Sequence, residues 1–184
     1  MSSFKSIERE PKWQVGPNWN ISVNDMGCLV LNVDSVFIAD VDCNSDTYPC
    51  RSKTEWLEYF RKIEQTIGYT FVVYETRNGF RVFVTNTLIP PTGLEAFSLL
   101  NILYSDVFYA ICCKNQNCYR ARLTPKPLRM KESYDNLETY LQNSKRYAVC
   151  IPVTDRKTVS CLPEVEQLLI MHDSYVLHDG ADLA

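Results

Sequence analysis

The segment VFIADVD, residues 36–42, decides the interpretation of the fold. Its apolar and β-branched residues predict a strand, and side chains alternate between the two faces of a strand. Asp40 and Asp42 therefore share one face at the end of this strand. Several charges are costly on a face that helices cover. We therefore expect this strand to be buried on the opposite face only.

The segments that follow predict an α+β, ferredoxin-like (RRM-like) core. Capping-box patterns at SKTE and TGLE predict two helix starts, and an Asn-Gly pair predicts a hairpin turn. The predicted elements are a strand at 36–42, a helix at 53–67, strands at 69–75 and 80–85, a helix at 93–104 and a strand at 118–123. This βαββαβ order is that of the split βαβ unit. Right-handed crossovers would then put the first strand between the third and the fourth.

The rest of the chain predicts additions to the same core, so that residues 1–184 form a single domain. Residues 1–35 form an N-terminal segment with short strands, and residues 36–127 form the core. Residues 128–184 form a C-terminal α/β extension, with helices near 134–142 and 163–172 and a strand at 147–153. Pro163 suits the first turn of the last helix.

Composition favours a cytoplasmic protein that does not contact a membrane. The N-terminus has no apolar signal-peptide core, and no stretch approaches the roughly 18 apolar residues that a membrane span requires. The eight cysteines are interpreted as reduced thiols, because the sequence shows no secretory signal. CCKNQNC (112–118) suggests zinc, but no second close Cys or His pair stands at zinc-finger spacing, so small buried thiols are the expectation.

One strip of the sequence is basic although the chain as a whole carries a net charge of −3. Residues 114–131 contain six basic residues and no acidic one, which leaves −9 on the rest of the chain. Such a strip favours a phosphate-bearing partner, such as a nucleotide or a nucleic acid. A solvated face balanced by nearby carboxylates is the alternative.

The predicted sheet gathers charged residues on its open face. These are Asp40, Asp42, Arg81, Arg120 and Arg122, and the rigid TPKP exit after the fourth strand would hold Lys126 and Arg129 at the rim. Two carboxylates at i and i+2 suit a hard divalent cation, Mg²⁺ or Mn²⁺. Arginines beside them suit phosphate groups.

The pattern predicts a metal-dependent nucleotidyltransferase site. In it, Asp40 and Asp42 are the catalytic and metal-binding residues. Arg81, Arg120, Arg122 and Lys126 would bind phosphate. The alternative is a lattice of Asp–Arg ion pairs that is covered by the N-terminal segment or the C-terminal tail.

Two family resemblances rest on these motifs. DVDC (40–43), TRNGFRVFVT (76–85), CYRARLTPKPLR (118–129) and HD (172–173) resemble an uncharacterised bacterial family with DVDW, TxxGxR, CFRARLTPKPWR and HD motifs. That family has no assigned activity, so the resemblance implies none.

The order of motifs also resembles the palm of archaeo-eukaryotic primase-polymerases, in the Asp-x-Asp strand and the hairpin after it. This resemblance implies nucleotide or nucleic-acid binding with a divalent metal. The family has a phosphate-binding histidine on the hairpin where this chain has Arg81. Phosphate binding without catalysis is therefore also implied. Asp106 is the available third carboxylate.

A function of another class remains open. The charged face would then dock a protein or an RNA without catalysis. An RNA-recognition platform requires aromatic side chains on the open face, where we expect only Phe83. His172 and His178, each followed by Asp, are interpreted as helix-end residues near the terminal carbonyls.

Overall fold

The computed structural model describes residues 12–43, 52–130, 136–178 and 181–184, which form ten strands and five α-helices. The strands are β1 (Lys12–Gln14), β2 (Trp19–Val23), β3 (Leu29–Val33), β4 (Ile38–Asp42), β5 (Phe71–Thr76), β6 (Gly79–Val84), β7 (Tyr119–Arg122), β8 (Tyr147–Ala148), β9 (Cys150–Pro152) and β10 (Asp182–Leu183). The helices are α1 (Lys53–Ile67), α2 (Leu94–Ile102), α3 (Val107–Gln116), α4 (Leu137–Ser144) and α5 (Pro163–Val176).

The strands form two four-stranded antiparallel sheets and one short parallel pair. The first sheet has the order β1-β2-β3-β7, the second has the order β4-β6-β5-β9, and β10 pairs with β8. The α+β class is thus confirmed. The neighbours β4, β6 and β5 occur in the predicted order, whereas the predicted fourth strand, β7, pairs with β3 instead of β4. The ferredoxin-like arrangement is therefore not confirmed.

The start of α3 occupies the edge of β4 at which β7 was expected. The Asp106 N–H donates to the Asp40 carbonyl oxygen at 2.7 Å, and the Ser105 hydroxyl bonds both backbone groups of Asp40. Further along the strand, the Tyr109 hydroxyl donates to the Ile38 carbonyl oxygen at 2.9 Å. A strand edge that is already hydrogen-bonded cannot accept another strand, which explains why β7 pairs elsewhere.

The helix starts agree in part with the sequence patterns. The capping box of α1 is confirmed, with the Ser52 side chain accepting from the Glu55 N–H and the Glu55 side chain accepting from the Ser52 N–H. The second predicted capping box is wrong, because the N-cap of α2 is Gly93, and no side chain caps this helix. The helix α3, capped by Asp106, was not predicted. The predicted helix start at Pro163 is confirmed.

The hairpin between β5 and β6 turns one residue earlier than predicted. Arg77 and Asn78 form the turn, and Gly79 is the first residue of β6. A Cβ atom on Gly79 would lie 1.9 Å from the Val41 carbonyl oxygen. Glycine is therefore required here by the close approach of β4.

The second sheet is covered on both faces. On one face, α1 contacts the sheet through Phe60, whose ring centroid lies 5.5 Å from that of Phe80. On the other face, the His172 ring of α5 lies 4.9 Å from Tyr74 and 5.1 Å from Phe83. The expectation that this face is open is wrong, because α5 packs on its aromatic residues. Among the described helices, none is long and apolar enough to cross a membrane.

Candidate functional site

The candidate site lies where the two sheets meet. Asp40 is paired with Arg81 across β4 and β6, so the two side chains project from the same face. Arg81 Nη1 reaches the end of the other sheet and donates to the Arg122 carbonyl oxygen at 3.0 Å. The structure therefore brings Asp40, Arg81 and Arg122 together, although β4 and β7 are not paired.

Asp40 is accessible and crowded at the same time. The residue is exposed to solvent, yet the loss of hydration raises the pKa of its carboxyl, while Arg81 and Arg122 oppose this shift. Asp40 is thus exposed to solvent but has charged neighbours. In the described part of the chain, no hydrogen bond or ion pair engages its carboxylate, and only its backbone groups are bonded. Asp40 is thus available to a ligand.

The two other candidate carboxylates lie beside Asp40. Asp42 is half-buried at the end of β4, and Asp106 caps α3 by accepting from the Tyr109 N–H at 2.7 Å. Both negative charges raise the pKa of Asp40. However, no three His, Cys, Asp or Glu side chains of the described residues are grouped so that they could hold a metal ion. A metal here would need ligands from outside this set.

Arg122 is a half-buried cation among other cations. Its Nε is buried without a hydrogen-bond partner, and none of the described side chains forms a hydrogen bond or ion pair with its guanidinium group. Burial lowers the pKa of Arg122, and the charge of Arg81 lowers it further, whereas Asp40 raises it. An arginine in this situation lacks the anion that its donors would normally bind.

Lys126 and Arg129 extend this arrangement along the exit from β7. Lys126 precedes the short 3₁₀ turn Pro127–Arg129. Burial lowers the pKa of Lys126, and the charges of Arg122 and Arg129 lower it further. We call Arg81, Arg122, Lys126 and Arg129 the basic cluster. The charges of Arg81 and Arg129 act on Arg122, those of Arg122 and Arg129 act on Lys126, and the negative charge of Asp40 acts on both Arg122 and Lys126.

Two predicted phosphate ligands differ from the rest of the set. Arg120 lies on the same face of β7 as Arg122, but its guanidinium group contacts Gln116 Oε1 and Ser22 Oγ, each at 3.4 Å. Arg120 is not among the main causes of the pKa shifts at Asp40, Arg122 or Lys126. Arg81 is only 3% exposed, so its positive charge acts on the site from a buried position.

His172 is the residue that sequence reasoning placed wrongly. It lies inside α5, not at its end, and is 0% exposed. Its Nε2 lies 3.0 Å from Arg81 Nη1, and its Nδ1 lies 3.1 Å from Asp173 Oδ1. The HD motif marked this position, but only the packing of α5 on the second sheet shows which group the imidazole contacts.

The alternative of a covered lattice of Asp–Arg ion pairs has two parts, the cover and the ion pairs. The C-terminal tail does cover the face, as that alternative expects. In the part of the chain that the structure describes, however, no ion pair involves Asp40, Arg81 or Arg122. The neighbouring charges shift the pKa values of Asp40 and Arg122, but among the described residues no direct ion pair neutralises either group.

Comparison with known proteins does not assign the chain to a family. No family model, curated protein or solved structure matches the chain. The two resemblances therefore rest on the motifs alone, and the chemistry of the site is the basis for a proposed function.

Proposed function

We propose that the protein binds the phosphate groups of a nucleotide or a nucleic acid with the basic cluster, together with a divalent metal. The observation that carries this proposal is the buried Nε of Arg122, which has no hydrogen-bond partner among the described residues and lies near the charges of Arg81, Lys126 and Arg129. Arg122 and Lys126 lose hydration by burial and are repelled by like charges, so a bound anion would relieve both costs. Phosphate oxygens fit the donor fork of arginine better than any other common biological anion except a carboxylate.

The metal part of the proposal rests on Asp40 and Asp42. Mg²⁺ is commonly held by one or two carboxylates together with substrate phosphates and water. Asp40 offers an accessible, unpartnered carboxylate, and Asp42 follows on the same face of β4. The residues present therefore fit Mg²⁺ or Mn²⁺ that arrives with a phosphate ligand. Such an ion would offset charge on the phosphoryl oxygens.

The arrangement supports a palm-like domain of the primase-polymerase type. The β4-β6-β5 order supplies the part of a ferredoxin-like palm that carries the Asp-x-Asp strand and the hairpin. If the protein is an enzyme, it is a metal-dependent nucleotidyltransferase with Asp40 and Asp42 as catalytic residues. If Arg81 in place of the family's histidine reflects a loss of catalysis, the protein binds the same ligands without reaction.

Thermal unfolding tests this proposal. Wild-type protein is scanned with nucleotides and short oligonucleotides, with and without Mg²⁺ or Mn²⁺, beside Asp40→Asn/Asp42→Asn. Ligand at about 100 times its Kd adds about 2.7 kcal/mol, which is an upward shift of about 5–10 °C for this chain length.

Lys126→Gln tests the basic cluster, and Lys62→Gln on the exposed side of α1 is the matched control. A metal-dependent shift that both Asp40→Asn/Asp42→Asn and Lys126→Gln lose, and Lys62→Gln keeps, supports the proposal. If no ligand shifts the wild-type midpoint, the proposal is wrong.

A non-catalytic interaction module is the second candidate. Large apolar side chains of α2 and α3 are exposed, among them Leu94 at 89% and Phe108 at 73%. Exposed apolar residues of this size mark protein contacts more often than phosphate chemistry. Binding of a protein or an RNA that persists unchanged in excess EDTA and in Asp40→Asn/Asp42→Asn would favour this candidate.

A further inference from the structure

Arg81 is a buried cation that only neutral groups hold in place. Its Nη1 donates to the Arg122 carbonyl oxygen and lies 3.0 Å from His172 Nε2. Within the described chain, it has no ion pair with a carboxylate. Arg122 carries a positive charge close by, and the charge of Arg81 helps to lower the pKa of Arg122. Arg81 Nη1 also makes a longer contact with Cys150 Sγ, at 3.9 Å, so the two acceptors at 3.0 Å are the stronger constraints on the guanidinium.

The hydrogen bonds of Asp173 fix the tautomer of His172. Asp173 Oδ1 accepts from the Tyr74 hydroxyl at 2.6 Å, and Oδ2 forms an ion pair with Arg156. Because a carboxylate only accepts hydrogen bonds, His172 Nδ1 must carry the proton toward Oδ1. The lone pair of Nε2 then faces Arg81. Burial lowers the pKa of His172 to about 4, and the charge of Arg81 contributes to this shift.

Two aromatic rings prevent the imidazole from turning away. The ring planes of Tyr74 and Phe83 each stand at 69° to that of His172, in edge-on contact. Such contacts fill the space on the sheet side of the imidazole and restrict its rotation. The acceptor that faces Arg81 is thus held by the packing of α5 and not only by hydrogen bonds.

We propose that His172 is a positioning residue of the candidate site: its neutral imidazole holds the Arg81 guanidinium against the Arg122 backbone, beside Asp40, and so sets the charge that a bound phosphate meets. The inference rests on the proposed phosphate binding. A chain of contacts runs from Arg156 through Asp173 and His172 to Arg81. On this inference it affects ligand affinity as well as anchoring α5 to the second sheet.

The test compares three variants of the full chain by titration with inorganic pyrophosphate in Mg²⁺. His172→Phe keeps a ring between Tyr74 and Phe83 but removes the acceptor, and His172→Gln keeps an acceptor on a side chain of similar reach. His178→Gln, the same change at the other histidine of the chain, is the control. We expect about tenfold weaker binding for His172→Phe, recovery to within about threefold for His172→Gln, and no change for His178→Gln.

A second measurement does not require a substitution at His172 to fold. The ¹⁵N chemical shifts of the imidazole nitrogens in wild-type protein report the tautomer, and the His178→Gln variant assigns the two histidines. We expect His172 to be protonated on Nδ1 at neutral pH, with an Nε2 shift that moves on addition of pyrophosphate.

The outcomes separate this inference from the proposed function. Wild-type protein that binds neither pyrophosphate nor a nucleotide contradicts both. Normal binding by wild type and by folded His172→Phe contradicts the positioning role alone, as does an Nε2-protonated tautomer. Equal losses in His172→Phe and His172→Gln also contradict it, because the acceptor would then not be the group that matters.

Discussion

Replacing Arg122 by methionine should stabilise the protein while weakening its binding of phosphate. Arg122 Nε is buried without a partner, and an unsatisfied buried donor costs about 1–3 kcal/mol. Methionine is of similar length and has no donor to satisfy. The substitution also removes repulsion from Arg81, although it removes attraction to Asp40 as well. We therefore expect a net gain of about 1 kcal/mol, which is about 2–4 °C in Tm for a chain of this size.

Urea unfolding at neutral pH measures this gain as a higher midpoint at an unchanged m-value. Arg61→Met, on the exposed side of α1, is the matched control and should change stability by less than about 0.5 kcal/mol. Saturating Mg²⁺ and pyrophosphate should reverse the order, because wild type gains about 2.7 kcal/mol at 100 times its Kd and the variant does not. A loss of more than about 1 kcal/mol without ligand would refute the reasoning, since Arg122 would then have a stabilising partner.

The remaining predictions concern single side chains. Asp40→Asn should raise the Tm at pH 7.5, because folding raises the pKa of the Asp40 carboxyl and the ionised carboxylate therefore destabilises the folded protein. The gain should disappear at acidic pH, where the carboxyl is protonated. A large decrease in Tm in the same scan would instead favour the ion-pair lattice. Gly79→Ala should cost about 1–3 kcal/mol in urea unfolding, because its Cβ would clash with Val41, whereas Gly93→Ala meets no atom closer than 3.7 Å and should be neutral or stabilising. Between pH 6.5 and 4, the free energy of unfolding of wild type should fall by about 3 kcal/mol relative to that of His172→Gln. The reason is that the histidine of the unfolded chain binds a proton in this range, whereas the folded one, with a pKa of about 4, does not. Parallel stability–pH curves for the two proteins would contradict this prediction.

The strands β4, β5 and β6 were predictable because their signals are local. Alternation assigns Asp40 and Arg81 to one face, and a short turn fixes the register of the hairpin. The partner of β7 was not predictable in this way. Alternation shows which face a residue occupies but not which strand lies beside it, and β3 precedes β7 by about 90 residues in the sequence.

The sequence predicted the residues of the candidate site from the strand faces they occupy, but the structure brings them together through contacts between two different sheets. Asp40, Arg81 and Arg122 do lie close together, but not as neighbours in one sheet. The Arg81 side chain connects the second sheet with Arg122 in the first. Arg120 shares the face of Arg122 and still has different partners, because α3 supplies Gln116. The contact of His172 with Arg81 depends on the packing of α5, for which the sequence carries no local signal.

The most direct test of the central claim is a calorimetric titration of the wild-type protein with pyrophosphate in Mg²⁺, repeated with Arg122→Met and Arg61→Gln. If the basic cluster is a phosphate site, wild type and Arg61→Gln bind with the same affinity and Arg122→Met binds at least about tenfold more weakly. Equal affinity in all three proteins, or no heat of binding in wild type, would contradict the account.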